Sequence, residues 1–174
     1  PGFYRNSDES FPGTPYLIAD PQRRLQWRSL LDSLGTRKKI GIAWTGGIKK
    51  TGDVRRSLDL EDVLPILRQD ATFVSLQYKD APEVDELEKV YGIKVHHWPH
   101  AMQTSDYDDT AALVAELDLV ITVQQTAVHI AGALGVPCWV MVPKAPLWRY
   151  SIGGKDFPWA KSVKLYRQRD KWVE

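Results

Sequence analysis

The chain has 174 residues, enough for one well-buried domain, and its 23 Lys and Arg offset 22 Asp and Glu to a formal net charge of +1. That balance excludes a global electrostatic pull toward nucleic acid or a membrane surface and leaves any charge-dependent function to a local cluster. No apolar run approaches the roughly 20 residues that span a bilayer, and a single cysteine, Cys138, excludes an internal disulfide. Within Val-Pro-Cys-Trp-Val-Met-Val that cysteine reads as a small core residue rather than a reactive thiol. The expectation is a soluble, cytoplasmic domain, and a start at Pro1 without Met is expected of a piece of a longer protein.

Residues 1–36 read as a connector: a lead with Pro12, Gly13 and Pro15, then a helix over 20–34 with Pro21 at a suitable first helical position. Residues 37–174 read as one Rossmann-like domain. Its first strand is Lys39-Ile-Gly-Ile-Ala-Trp44, which stops at Thr45-Gly46-Gly47. Helices over 60–67, 82–90, 110–115 and 126–134 then alternate with strands over 72–76, 94–95, 119–123 and 138–142, and a last strand covers 163–166. This alternation predicts a three-layer α/β/α domain with a mostly parallel sheet of about six strands. Ligands of such sheets lie beyond the carboxyl ends of the strands. The residues that follow each strand, Thr45-Gly46-Gly47, Gln77-Tyr78, His97 to His100, Gln124-Gln125-Thr126 and Pro143-Lys144, are therefore expected on one rim.

The strongest local signal is the junction Asp118-Leu-Val-Ile-Thr-Val-Gln-Gln-Thr-Ala-Val-His129, a buried strand that runs through a polar turn into a small-residue helix. Free N–H groups and the positive dipole end of such a helix suit a phosphate or diphosphate. Thr126 is the expected cap, Gly135 the stop, and His129, in the first turn, leans back toward a ligand or bonds within the fold. The loop from Thr45 to Ser57 carries Lys49, Lys50, Arg55 and Arg56 beside three glycines and lacks both G-x-x-x-x-G-K-[ST] and G-x-G-x-x-G. It reads as a phosphate-approaching loop in which Arg56 matters most, or as a solvated one.

Asp106-Tyr-Asp108 is an Asp-x-Asp triplet seen in metal-dependent sugar transfer, but Asp109 stands where a helix cap is needed, and capping is the preferred reading. His96-His97-x-x-His100 lacks a cysteine and the geometry of a metal cluster, so no metal site is expected. Trp44 and Trp139 are expected in the core. The loop with Trp148-Arg149-Tyr150 and Phe157-Pro-Trp159 lies near the rim, lining a cleft or packing on the sheet. The absence of Gly-x-Ser-x-Gly argues against nucleophilic catalysis.

Several of these motifs share one order with a known family: Gly41-Ile-Ala-Trp-Thr-Gly-Gly47, Arg56-Ser-Leu58, Phe73-Val-Ser-Leu-Gln77, Asp118 to Val123, Thr126-Ala-Val-His129 through Gly135, Trp148-Arg149 and Pro158-Trp159. The chain resembles the C-terminal half of the glycosyltransferase-like region that follows tetratricopeptide repeats in bacterial proteins. That region is related to heptosyltransferases and more distantly to O-linked N-acetylglucosamine transferases.

The resemblance implies one half of a GT-B fold, the donor-binding half of an inverting, metal-independent enzyme that uses a nucleotide-diphosphate sugar and no cofactor. It implies diphosphate contacts from Thr45, Gly46, Gly47, Gln124, Gln125 and Thr126, charge neutralisation by Arg56, assistance from His129, and Gln77 and His97 near the nucleoside. Where heptosyltransferases commonly carry Asp, this sequence has Gln124 and Gln125. The general base and acceptor site belong mostly to an N-terminal domain, so the chain alone is expected to bind donor without turnover. The competing expectations are a non-catalytic nucleotide-binding or interaction module and a flavin or receiver domain, the latter lacking its phosphoacceptor Asp.

Overall fold

The computed structural model describes residues 7–47, 52, 55–78, 82–102 and 106–170. Lys49 and Lys50 of the motifs above lie outside these residues. Six parallel strands form one sheet: β1 (Lys39–Ala43), β2 (Thr72–Ser75), β3 (Val95–His96), β4 (Leu119–Val123), β5 (Cys138–Val142) and β6 (Val163–Arg167), in the order β3-β2-β1-β4-β5-β6. The helices are α1 (Pro21–Asp32), α2 (Leu60–Leu67), α3 (Pro82–Tyr91), α4 (Pro99–Met102), α5 (Tyr107–Ala115) and α6 (Thr126–Leu134). This is the expected α/β, Rossmann-like architecture.

Two apolar clusters sandwich the sheet. On one face Val63, Leu64 and Leu67 of α2 and Val84 and Leu87 of α3 pack with Ile42, Phe73, Val95 and Ile121. On the other, Trp27 and Leu31 of α1, Leu113 of α5 and Val128 and Ala131 of α6 meet Val74, Val120, Cys138 and Val140. Burial of each such Val or Leu side chain contributes about 1.5–3 kcal/mol. Cys138 is wholly buried, and that burial pushes its thiol pKa far up, consistent with a core role.

Local chemistry explains the element ends and corrects some expectations. α1 starts where Asp20 accepts a hydrogen bond from Arg23 N at 2.8 Å, with Pro21 at the first helical position. α5 begins at Tyr107, earlier than expected, because Asp106 rather than Asp109 is its cap, accepting from Asp108 N at 3.0 Å. Asp109 instead accepts from Trp27 Nε1 at 3.0 Å and ties α5 to α1.

Trp139, expected in the core, is 43% exposed and packs beside Tyr166 with ring centroids 5.3 Å apart. It shares its register row with Ile121 and Lys164 and stands outside the cluster beneath α2 and α3, which reaches β5 only at Met141. The short α4 was not anticipated; Thr110 Oγ1 donates to its Ala101 carbonyl and fixes it to α5.

Candidate functional site

The strand order turns outward in both directions from β1 and β4, so the crevice beyond their carboxyl ends is the topological switch point. The two strands run in register from Ile40 opposite Leu119 to Ala43 opposite Thr122. That register sets Thr45-Gly46 beside Gln124-Gln125, two segments that are 79 residues apart in the chain by their numbers at Gly46 and Gln125.

Gly46 is buried against the second segment. A Cβ there would lie 3.1 Å from both the Gln124 carbonyl oxygen and Val123 Cγ2, tighter than ordinary contact, so glycine eases the close approach of the two segments. Its N–H donates to Ser57 Oγ at 3.1 Å, and Leu58 N donates to the Trp44 carbonyl at 2.8 Å, folding the Arg56 end of the loop over the strand end. Arg56 Nη1 then reaches the Gln124 carbonyl at 3.4 Å. Beside it a cavity of about 220 Å³ opens between Arg56, Ser57, Val123, Met141, Pro143 and Gln168.

The start of α6 differs from expectation in one respect. Gln125, not Thr126, is the N-cap; its backbone is extended, and its side chain makes no capping bond. The carboxamide instead turns back, Nε2 donating to Thr122 Oγ1 at 3.1 Å. Thr126 is the exposed first helical residue. The first N–H groups of α6 are thus left without a side-chain cap from Gln125, at the positive end of a nine-residue dipole. At the other end Gly135 has φ 77°, a left-handed stop at which Val136 N donates to the Ala131 carbonyl at 2.9 Å.

Gln124 is fully buried. Its Oε1 accepts from Leu147 N at 3.1 Å, joining the end of β4 to the loop after β5, while its Nε2 is buried with no hydrogen-bond partner among the described residues. Gln77, 2% exposed, accepts from both Thr45 N (3.3 Å) and Thr45 Oγ1 (3.1 Å). It therefore holds the Thr45 loop from beneath rather than standing open on the rim. Tyr78 donates through its hydroxyl to the Gly47 carbonyl. His97 is half-buried near the end of β3.

His129 turns toward the loop after β5. Its Nε2 lies 3.2 Å from Arg149 Nη1, and its ring packs near Tyr150 and Phe157. Burial, and secondarily the charge of Arg149, hold its pKa below the ordinary histidine value and favour the neutral ring. The structure thus brings Thr45, Gly46, Gln124, Gln125, Thr126 and Arg56 together and sets His129 in an adjoining group.

The residues considered for metal binding have other partners. Asp106 pairs with Arg23 at 2.9 Å, His96 stacks on Trp98 and His100 on Trp27. No cluster of three or more His, Cys, Asp or Glu suited to a metal occurs among the described residues, and none of their helices is long and apolar enough to cross a membrane. Sequence reasoning missed Arg167 and Phe11, whose roles rest on contacts between distant segments.

This six-stranded Rossmann-like fold is that of known glycosyltransferases of GT-B architecture. The chain is similar to ADP-heptose lipopolysaccharide heptosyltransferase II of E. coli, with a TM-score of 0.57, 14% identity, and coverage of 94% of this chain and 49% of that one. It is also similar to a family 9 glycosyl transferase from Veillonella parvula, with a TM-score of 0.61, 13% identity, and coverage of 92% and 44%. A third similar structure is E. coli heptosyltransferase WaaC with ADP-2-deoxy-2-fluoro heptose, with a TM-score of 0.54 and 10% identity. In sequence the chain is 30% identical over 165 residues to Protein FlbA of Caulobacter vibrioides, spanning 93% of this chain but 27% of that protein. The chain thus spans under half of these solved structures and about a quarter of that relative. No family model matches it.

Proposed function

We propose that residues 37–174, joined to residues 1–36 as a connector, form the nucleotide-sugar-binding domain of a bacterial cytoplasmic glycosyltransferase of the heptosyltransferase-like, tetratricopeptide-associated type. The single observation that carries this reading is the β1–β4 crevice, where the Gly46 backbone, Arg56 and the start of α6 converge. In sugar transfer the bond between the anomeric carbon and the diphosphate oxygen breaks, and negative charge grows on the departing diphosphate. Fixed N–H groups and a guanidinium aimed at that charge stabilise it without reorganisation. The N–H groups of Gly47 and Thr126 would hold the diphosphate between the Gln124-Gln125 turn and the Thr45 loop, with Gly46 letting the two segments approach. Arg56 would neutralise it, His129 would assist from the first turn of α6, and Gln77 would position Thr45. His97 would flank the nucleoside.

Such a site needs no metal, and in this reading transfer inverts the anomeric carbon. The general base and most of the acceptor site would come from a second, N-terminal domain of the full-length protein, so the chain alone binds donor without turning it over. Calorimetric titration with UDP-, GDP- and ADP-sugars, with and without a chelator, tests the proposal. Saturable binding of at least one, unaffected by chelation and without sugar release, is the expected result. No binding of any at millimolar concentration would overturn it, and binding abolished by the chelator would return Asp106 and Asp108 to a metal role.

A further inference from the structure

A second concave site lies beside the first turn of α6 and shares no lining residue with the cavity beside Arg56. It encloses about 600 Å³ between Phe11 and Tyr16 of the lead, His129 of α6, and Trp148, Arg149 and Trp159 of the long connection from β5 to β6. Its size falls within the range of small-molecule sites.

Two kinds of wall meet there. Trp159 contacts Phe11 edge-on, with centroids 4.7 Å apart, and stands at 81° to Trp148 across 6.4 Å. Two indoles at right angles thus present flat apolar surfaces, and Trp148 is 74% exposed. The polar wall is Arg149, whose guanidinium carbon lies 5.7 Å from the Trp148 ring centroid. Arginine only donates, so His129 Nε2 accepts from Nη1 and the imidazole carries its hydrogen on Nδ1. No acidic side chain lines the basin, no carboxylate pairs with Arg149 among the described residues, and Arg149 Nε is buried without a hydrogen-bond partner. One positive charge therefore stands uncompensated beside an aromatic corner.

The walls are fixed in place before any ligand arrives. Arg167 of β6 donates to the carbonyls of Tyr150 (2.6 Å), Ser151 (3.0 Å), Gly153 (2.7 Å) and Gly154 (2.7 Å), pinning the loop directly after Arg149. The lead is tied down by Lys161 N to the Gly13 carbonyl at 2.8 Å and by Tyr16 N and Leu17 N to the Ala133 carbonyl at 2.9 and 3.0 Å. Binding then spends little free energy on ordering the site.

We propose that this basin binds a sugar ring bearing an anionic group, a carboxylate or a phosphate. The C–H faces of a pyranose carry slight positive charge and suit the negative faces of the indoles, whereas the fork of Arg149 suits a planar or tetrahedral oxyanion. The assignment of ligand class stands on the basin alone. Its further meaning, that the basin holds the acceptor or its flanking residue next to the donor, rests on the function proposed above.

The test titrates the chain with glucuronate, glucose 6-phosphate, glucose and inorganic phosphate, read by tryptophan emission and heat. At least one anionic sugar is expected to saturate, and the tighter of the two identifies the preferred anion. Glucose should bind at least about tenfold more weakly. Trp148→Ala, at an exposed side chain, should remove anionic-sugar binding at an unchanged unfolding midpoint. Arg149→Lys should weaken it by about tenfold while glucose binding stays as it was. Saturation by neither anionic sugar in the millimolar range, equal binding of inorganic phosphate, or wild-type affinity in Trp148→Ala would each overturn the proposal. Titration of the unsubstituted chain with UDP, GDP and ADP separates the two readings: nucleotide binding without sugar binding defeats the basin alone, and sugar binding without nucleotide binding defeats the donor site alone.

Discussion

The β1–β4 crevice and the aromatic basin share the first turn of α6 and are built by opposite means. The crevice is made of backbone: the strand order creates it, Gly46 lets two chain segments touch, and the uncapped start of α6 supplies its donors. The basin is made of side chains carried on loops and depends on one arginine of β6 to hold its walls. A backbone site tolerates changes of side chain around it, whereas a side-chain site is lost when its support is removed. Gln124 connects the two, since it follows β4 at the crevice and its Oε1 holds Leu147 N at the entry to the basin loop.

The largest effect that separates the regions is expected from Arg167→Ala. Four carbonyls lose a charged donor, at a cost of about 3 kcal/mol, measured by urea unfolding, and anionic-sugar binding is lost while nucleoside diphosphate affinity is kept. Gln124→Leu follows at about 2 kcal/mol, because the part-buried Leu147 N–H loses its acceptor. Unlike Arg167→Ala it should weaken both ligands, which calorimetry on one preparation checks. Arg56→Ala should weaken nucleoside diphosphate binding by about tenfold, near 1.4 kcal/mol, with the unfolding midpoint and sugar binding unchanged.

The smallest effect is a pH slope. Burial and the charge of Arg149 lower the pKa of His129 in the folded chain, so its contribution to stability is present above the unfolded value and is lost as pH falls from there through the lowered folded value. His96 is lowered too, by burial and Lys94. Unfolding midpoints between pH 7.5 and 5.5 should therefore fall, less steeply in His129→Gln and less again when His96→Gln is added. The carboxyl of Glu116 is held below its ordinary value by hydrogen bonds from Arg28 and Arg24 that outweigh its burial, and its contribution fades only at lower pH.

The crevice was legible in the sequence because topology alone builds it. The boundaries of α2, β4, α6 and β5 coincide with those expected from residue patterns, and these elements set the strand order in which Thr45 meets Gln124. What escaped the sequence depends on which distant partner a side chain finds. Asp109 and Asp106 are equally good caps in isolation, and partners on α1 separate them: the Trp27 indole, 82 residues away, takes Asp109, and Arg23 pairs with Asp106. Trp139 has the same β-branched and apolar neighbours as a core residue, but it stands outside the cluster beneath α2 and α3. The tryptophans of the basin were visible as a cluster near the rim, whereas Phe11 and the Arg167 staple join it only through long-range packing.

The central claim, that a diphosphate lies between the Thr45 loop and the start of α6, is tested most directly by amide chemical shifts. On titration of the isotopically labelled chain with the nucleoside diphosphate that binds, the amides of Gly46, Gly47, Thr126 and Ala127 should move together along one saturation curve, with those of Trp148 and Trp159 little changed. Shifts confined to the basin, or none at these four amides at saturation, would contradict the account.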